Sequence, residues 1–140
     1  MKILLAVDGS EHTKRMLAWM AAHEEWLGPE HQYVVLTVVP PIPPHAMEFL
    51  DADYLRSYDN EQAEAVFKPI RAFIDQHKLQ ATYVHEVGHA GDAIAEVAAE
   101  QKVDMLVMGS HGRGALAGLV MGSVATRVVA VCKTPVLLIR

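Results

Sequence analysis

The sequence predicts an α/β protein built on a doubly wound, five-stranded parallel sheet. Apolar, β-compatible runs alternate along the chain with segments in which apolar residues recur at helical spacing. Strands that alternate with helices form parallel sheets, and right-handed crossovers place the helices on both faces. The chain has 140 residues, 51% of them hydrophobic and 21% charged, which suits one well-formed core. We therefore predict a single domain over residues 1–140.

The first strand is predicted at residues 2–7, an apolar run that ends at the turn Asp8-Gly9-Ser10. Ser10 suits the N-cap of the following helix, and Glu11 in its first turn favours the helix dipole. The apolar positions of that helix recur at near-helical spacing at Leu17, Met20, Ala21 and Leu27. Gly28-Pro29 is predicted to end the helix, because neither residue favours its continuation.

The second strand is predicted at residues 33–39. The segment after it, Pro40-Pro41-Ile42-Pro43-Pro44, cannot continue a strand ladder because proline lacks the N–H donor. We expect an extended loop over residues 40–53 and then a long helix over residues 54–77. The core face of this helix is predicted at Val66, Ile70, Phe73 and Ile74. Pro69 should kink the helix or break it.

The third strand, residues 81–87, is more polar than the others and ends at Gly88. A short helix is predicted to open at Gly91-Asp92. The residues of this helix that are expected to face the core are Ile94, Val97 and Ala98. The remaining predicted elements are a fourth strand at 103–108, a glycine-rich loop at 109–121, a helix at 122–131 and a fifth strand at 135–139.

The composition excludes several functions. Acidic residues number 17 and basic residues 12, and the resulting net charge of −5 is unsuited to binding nucleic acid phosphates. Cys132 is the single cysteine, so neither an internal disulfide nor a cysteine zinc site can form, and we expect it to pack in a helix. The sequence shows neither a signal-peptide core nor a membrane-spanning run, which predicts a cytoplasmic protein without membrane contact.

The final part of the chain differs from the rest in charge and in glycine content. No acidic residue follows Asp104, and residues 105–140 carry a formal charge of +4. Five of the nine glycines lie within residues 109–122, and glycine lets a backbone approach a ligand closely. This composition is typical either of an anion site or of a flexible surface loop.

The residues of this loop favour the anion site. Gly109 and Gly112 would turn backbone N–H groups toward a ligand, and the helix that starts at Gly122 would present unpaired N–H groups. Further donors are supplied by the side chains of His111, Arg113 and Ser123. Because Asp8 and Gly109 both follow strands, we expect them to flank one crevice at the carboxyl edge of the sheet.

Two other phosphate-binding motifs can be excluded. The sequence contains no G-x-x-x-x-G-K-[ST], which rules out a P-loop nucleotide hydrolase. Residues 112–117 fit the dinucleotide-binding pattern G-x-G-x-x-A. They lie outside the first strand–helix unit, however, and no acidic residue follows them to bind a ribose, so this match is a coincidence.

Gly109-x-x-Gly112, nine further residues and Gly122-Ser123 resemble the G-2x-G-9x-G-[ST] ATP-binding signature of the universal stress protein family. The resemblance extends over essentially the whole chain. The segments that resemble the family's first strand and turn, its fourth strand and loop, and its closing strand are residues 3–10, 104–112 and 134–140.

This resemblance implies a Rossmann-like fold of the adenine nucleotide alpha hydrolase type, with strand order 3-2-1-4-5. It also implies a homodimer, often paired through the last strand, here residues 135–139. The positions implied around ribose and adenine are Ala6, Val7, Asp8 and Val38. Those implied around the phosphates and ribose are Met108, Gly109, His111, Gly112, Arg113, Gly122, Ser123 and Val124. Mg²⁺ or Mn²⁺ would accompany the phosphates, and Ala125 stands where some relatives carry a hydroxyl.

Three hypotheses about function follow. The first is an ATP-binding regulatory dimer in stress response, in which the nucleotide orders residues 40–53 and 110–121. The second is a slow ATPase or an adenylate-transfer enzyme, which phosphate release would favour. Efficient catalysis is not expected, because Asp8-Gly9-Ser10 lacks the D-x-D pattern of aspartyl-phosphate enzymes and the sequence shows no G-x-S-x-G elbow and no obvious nucleophile–base pair. The third is a dimer that acts through protein contacts alone, which a failure to bind any adenine nucleotide would favour.

Overall fold

Strands and helices alternate along the part of the chain that the computed structural model describes, residues 1–112 and 121–140. The strands are β1 (Lys2–Ala6), β2 (Gln32–Val39), β3 (Gln80–Val87), β4 (Met105–Gly109) and β5 (Val136–Ile139). The helices are α1 (Glu11–Ala22), α2 (Glu24–Leu27), α3 (Pro44–Met47), α4 (Ala52–Gln76), α5 (Ala90–Glu100) and α6 (Ser123–Val131).

The strands form one parallel sheet in the order β3-β2-β1-β4-β5. β1 lies at its centre, where Leu4 is in register with Val34 of β2 on one side and with Leu106 of β4 on the other. Ile3, Leu4 and Leu5 are fully buried, because neighbouring strands cover both edges of β1 and helices cover both faces of the sheet. The predicted fold class and strand order are confirmed.

Helices on the two faces of the sheet divide the core into two layers. In the first layer, Ile3 and Leu5 pack with residues of α1, α2 and α4, among them Met16, Met20, Leu27 and Ile70. In the second layer, Leu4 packs with residues of α5 and α6, among them Ile94, Val97, Ala98 and Val128. Successive side chains of β1 thus enter opposite layers, as the two-residue repeat of a strand requires. The predicted core positions of α5 are confirmed.

α4 begins two residues earlier than the sequence predicts. Its N-cap is Asp51, whose carboxylate accepts a hydrogen bond from the backbone N–H of Tyr54 at 2.7 Å. Pro69 lies inside the helix and does not end it. The predicted core face of α4 is buried at Val66, Ile70 and Ile74 and half-buried at Phe73. None of the described helices, including α4, the longest of them, is long and apolar enough to cross a membrane.

The single helix predicted to run from Ser10 to Gly28 is instead two helices separated at His23. The His23 backbone N–H donates to the carbonyl of Met20 at 3.0 Å, and its Nδ1 is hydrogen-bonded to the carbonyl of Trp19 at 2.7 Å. These contacts end α1 at Ala22, and α2 starts at Glu24, directly after His23. Ser10 occupies the N-cap of α1, as predicted, but its side chain makes no capping hydrogen bond.

The extended loop predicted over residues 40–53 is also wrong in part, because it contains α3. Pro44 occupies the first turn of this short helix, where a missing N–H costs nothing. The backbone N–H groups of Ala46 and Met47 both donate to the carbonyl of Pro43, at 2.9 and 3.2 Å. The proline run therefore leads into a helical turn, and only residues 40–43 before that turn lack secondary structure.

β4 begins at Met105, two residues later than predicted, because the backbone of Val103 is hydrogen-bonded to the C-terminal turn of α5 and is not paired in the sheet. Lys102 adopts a left-handed conformation with φ of +52°, and the Val103 N–H donates to the carbonyl of Ala98 at 3.2 Å. α6 and β5 each begin one residue after their predicted start. Cys132, expected to pack in a helix, is half-buried at the C-cap of α6 and packs in the second core layer.

The two edges of the sheet differ in chemistry. β3 forms one edge and exposes mainly polar residues, Gln80, Thr82 and Glu86, beside a single exposed Val87. β5 forms the other edge, as the sequence predicts, and is entirely apolar. Its residues Val136, Leu137 and Leu138 are half-buried, and within the described chain β5 pairs with β4 alone. An apolar strand with one unpaired side favours contact with another chain.

Tyr33 of β2 should stabilise the fold in a pH-dependent way. Its buried hydroxyl donates to the buried carbonyl of Gly28 at 2.8 Å. We expect Tyr33→Phe to lower the free energy of unfolding at pH 7 by about 1–3 kcal/mol, because that carbonyl loses its donor. Urea denaturation measures this difference, and Tyr54→Phe, at an exposed tyrosine, is the matched control.

The difference between the wild type and Tyr33→Phe should shrink at high pH. Burial, with a smaller contribution from Glu30, raises the pKa of the Tyr33 phenol well above its usual value. The unfolded chain loses this proton first, so the stability that Tyr33 contributes declines as pH rises above about 10. An equal difference at pH values below and above that range would contradict this assignment.

Candidate functional site

The carboxyl ends of β1, β2 and β4 open onto a cavity of about 430 Å³. The chain leaves β1 toward β2 on one side, while β4 lies on the other, so the cavity sits where the strand order reverses. Eleven of the twelve predicted site residues line it: Ala6, Val7, Asp8, Val38, Met108, Gly109, His111, Gly112, Gly122, Ser123 and Val124. The twelfth, Arg113, lies outside the described residues.

Asp8 follows β1 and is fixed in place by the first turn of α1. Its Oδ1 accepts hydrogen bonds from the Ser10 backbone N–H and the Thr13 hydroxyl, both at 2.9 Å. The Asp8 backbone N–H donates in turn to Thr13 Oγ1 at 3.1 Å. Gly9 supplies the left-handed turn between these residues, with φ of +76°. The predicted Asp-Gly turn therefore positions a carboxylate at the cavity wall.

The three glycines of the motif are needed for close approach rather than for an unusual backbone conformation. None of them has a positive φ. A Cβ at Gly112 would lie 2.6 Å from Asp8 Oδ2, and a Cβ at Gly109 would lie 2.9 Å from the Cβ of His12. A Cβ at Gly122 would lie 3.2 Å from the Cα of His111. Glycine at positions 109 and 112 lets the loop pack directly against the β1–α1 segment, and glycine at 122 lets the two ends of the loop pack against each other.

Both ends of the glycine loop are joined by a backbone hydrogen bond. The Gly122 N–H donates to the carbonyl of Ser110 at 2.7 Å, and the Ser110 N–H donates to the carbonyl of Ile139 at 2.8 Å. The N–H of Gly122, the N-cap of α6, is therefore used within the protein. The N–H groups of Ser123 and Val124, in the first turn of α6, have no acceptor within the helix.

His111 is held at the cavity by two neighbours that sequence reasoning missed. Its Nδ1 is hydrogen-bonded to the hydroxyl of buried Ser110 at 2.9 Å. Its ring lies 5.1 Å from that of His12, measured between centroids, with 30° between the ring planes. His12 Nδ1 and Ser10 Oγ are buried and have no hydrogen-bond partner within the described residues. The α1 start thus brings further polar atoms close to the cavity.

Nine further described residues line the cavity, and most of them lie on elements that the glycine motif does not identify. They are Thr13, Thr37, Val39, Pro40, Gln62, Val66, Ala90, Ile94 and Ala125. Val39 and Pro40 end β2 and could have been found by the same carboxyl-end rule that identified Asp8. Those on α4 and α5 carry no local signal, because their place over the cavity depends on how the helices pack. Within the described chain, no three His, Cys, Asp or Glu residues are grouped to hold a metal.

The sequence matches the profile of the universal stress protein family over residues 1–140. The chain belongs to that family. It is similar to a universal stress protein of Thermus aquaticus, encoded in the 3' region of a sulfhydrylase gene. The two are 34% identical over 139 residues, which cover 99% of this chain and 97% of the relative.

Solved structures show the same universal stress protein fold. MJ0577 of Methanocaldococcus jannaschii is 25% identical, with a TM-score of 0.83 over 99% of this chain and 94% of that one. Less similar structures are described with nucleotides. A universal stress protein in complex with cAMP is 23% identical, with a TM-score of 0.71 over 100% of this chain and 97% of that one. One from Arabidopsis thaliana with AMP bound is 17% identical, with a TM-score of 0.71 over 99% of this chain and 90% of that one. One from Archaeoglobus fulgidus in complex with dAMP is 20% identical, with a TM-score of 0.70 over 100% of this chain and 98% of that one.

Thr13 should be important for stability, because its hydroxyl makes both hydrogen bonds that join it to Asp8. We expect Thr13→Val to lower the free energy of unfolding by about 1–3 kcal/mol, since the Asp8 N–H and carboxylate each lose a partner in a part-buried site. Urea denaturation measures the loss. Thr82→Val, at an exposed position of β3, is the matched control and should change stability by less than about 0.5 kcal/mol. Equal losses in the two variants would refute the role given to Thr13.

Proposed function

We propose that this universal stress protein binds ATP in the cavity at the carboxyl edge of the sheet and acts as a regulatory dimer in stress response. The observation that carries the proposal is that one cavity gathers a carboxylate, an apolar wall and the start of a helix. Its volume of about 430 Å³ lies within the range of about 300–1,000 Å³ for small-molecule sites.

The apolar wall and Asp8 suit the nucleoside half of the ligand. Val38, Ile94 and Met108 line the cavity from β2, α5 and β4 and offer flat packing to an adenine ring. Asp8 lies in the turn after β1 and lines the cavity, where its carboxylate oxygens can accept hydrogen bonds from ribose hydroxyls. The hydrogen bonds from Ser10 and Thr13 keep this carboxylate in one orientation before any ligand binds.

The start of α6 suits the phosphates. The N–H groups of Ser123 and Val124 and the positive end of the helix dipole favour an anion there. The Ser123 hydroxyl is exposed and lines the cavity, and His111 adds a ring nitrogen. Because the described residues offer no protein metal site, Mg²⁺ or Mn²⁺ would be held mainly by phosphate oxygens, with the Ser123 hydroxyl as one ligand.

The nucleotides described in related structures support an adenine ligand. cAMP, AMP and dAMP share the adenine ring and a phosphate but differ in ribose substitution. A cavity that binds adenine through apolar contacts and phosphate through backbone N–H groups accommodates such variation. We propose ATP rather than these monophosphates for the present chain because its motif resembles the family's ATP-binding signature.

We further propose that nucleotide binding is regulatory and not catalytic. Asp8 is the one carboxylate among the described lining residues, and its Oδ1 already accepts two hydrogen bonds. A carboxylate held in this way is a poor general base for activating water. Dimerisation is proposed through β5, whose apolar residues lie at an edge that is unpaired within the described chain.

Calorimetric titration of nucleotide-stripped protein with ATP, with and without Mg²⁺, tests the cavity assignment. We expect binding with a Kd of about micromolar order, since several hydrogen bonds to phosphate must offset the cost of association. Gly122→Val should weaken binding at least about tenfold, because even a Cβ there approaches His111 closely. Phosphate release, measured on the same samples, should not exceed the background.

Ala130→Val is the control for that titration, because it adds the same kind of bulk to an exposed position of the same helix. It should bind ATP like the wild type. Absence of ATP binding in the wild type would eliminate the cavity assignment and favour action through protein contacts alone. Phosphate release that disappears in Asp8→Ala and Ser123→Ala would instead favour a slow ATPase.

Leu137→Lys tests the proposed dimer. Placing a charge on β5 should shift the protein from dimer to monomer at low micromolar concentration, as sedimentation velocity would report. Thr82→Lys on β3, the opposite edge, is the control and should leave the sedimentation coefficient unchanged. The β5 interface is wrong if Leu137→Lys remains folded by circular dichroism and sediments like the wild type.

A further inference from the structure

A second concave surface adjoins the nucleotide cavity, and the proposed function does not use it. It is a groove of about 420 Å³, lined by the proline run and by residues of α4 and the segment before it. We refer to it as the proline–tyrosine groove. Its lining residues are Val39, Pro40, Pro41, Ile42, Pro43, Leu50, Tyr54, Tyr58 and Gln62. Three of them, Val39, Pro40 and Gln62, also line the nucleotide cavity.

Large apolar side chains next to this groove are unusually exposed. Phe49 is 85% exposed, Tyr54 54% and Met47 44%, and all three lie within eight consecutive residues. None of the aromatic ring contacts in the described chain involves Phe49, Tyr54 or Tyr58. Single exposed apolar residues are ordinary, whereas a cluster beside a groove is typical of an interaction site.

Residues 48–61, which supply one side of the groove and which we call its rim, are rich in acidic side chains. Residues 48–61 contain five acidic side chains and one arginine, Arg56, which is paired with Asp53. Glu48, Asp59 and Glu61 have no ion-pair partner within the described residues. An apolar groove with an uncompensated negative rim attracts a ligand that combines apolar and positively charged groups.

We propose that the proline–tyrosine groove binds a basic amphipathic segment of a partner protein. Apolar side chains of that segment would enter the groove between Ile42 and Tyr54 and cover Phe49, while its lysines or arginines would meet Glu48, Asp59 and Glu61. Helix-in-groove recognition has this pattern of buried apolar anchors and peripheral charges. The negative rim excludes nucleic acid and anionic lipid surfaces, which would be repelled.

A second copy of this chain fits the groove less well. A symmetric pair would bring the same patch of both copies together. The acidic residues without an ion-pair partner in the described chain, Glu48, Asp59 and Glu61, would then lie close to the same residues of the other copy, and like charges in contact are destabilising. The negative charge of the rim thus selects a positively charged partner. The same patch on another copy is negative as well and does not meet this requirement.

Fluorescence anisotropy with a defined probe tests the proposal on the full chain without nucleotide. The probe is a labelled peptide about four helical turns long that places leucines on one face and lysines on the other. We expect saturable binding that Phe49→Ser weakens at least about tenfold and that Glu48→Lys weakens about threefold. Both side chains are exposed, so the variants should fold normally.

Two control variants and a control peptide make the result specific. Val129→Ser removes an exposed apolar residue of α6, and Glu25→Lys reverses an exposed charge of α2, so neither should alter binding. A peptide with glutamates in place of the lysines should not bind. Unchanged binding in Phe49→Ser, or equal binding of the glutamate peptide, would overturn the proposal. It would also be overturned if the chain alone self-associates in sedimentation and Phe49→Ser abolishes that association.

Discussion

The pairing of β1 with both β2 and β4 determines where the rest of the molecule lies. Because β1 is the central strand, with Ile3, Leu4 and Leu5 fully buried, the chain leaves its carboxyl end toward β2, whereas the chain that leaves the adjacent end of β4 turns the other way, toward β5. The two outgoing segments, Asp8-Gly9-Ser10 and the loop after Gly109, therefore diverge and leave a gap between the ends of β1 and β4. That gap is the cavity, and its position follows from strand order alone. The chemistry of the site is then supplied by whichever residues occupy those two turns.

The parts of the fold that repeat simple periodic patterns could be predicted from the sequence. The strands, the parallel sheet and the core face of α5 follow from apolar runs and helical spacing, since burial on both sides of a sheet leaves few alternatives. The errors arise where a local hydrogen bond decides the outcome. The break at His23, the helical turn after Pro43 and the Val103 cap of α5 each depend on one or two contacts that no periodicity reveals.

The site residues that directly follow a strand in the sequence could be predicted. Those that are brought to the site by helix packing could not. Asp8 and the glycine loop were found because each directly follows a strand, and the structure places them on one cavity. Gln62 and Ile94 line that cavity from α4 and α5. Their position there depends on how these helices pack on the sheet, which the neighbouring residues in the sequence do not reveal. The structure adds a packing role that the motif alone does not reveal, since its glycines permit close contacts of the loop and the Gly122 N–H donates to the carbonyl of Ser110.

The unlike edges of the sheet limit how far copies of this protein can assemble. If two chains join through β5, each uses its only wholly apolar edge, and both outer ends of the joined sheet are then β3. There a further copy would have to pair with a strand that exposes the charged Glu86 and the polar side chains of Gln80 and Thr82. Growth beyond such a pair is therefore disfavoured, because each added chain would meet a polar edge instead of an apolar one.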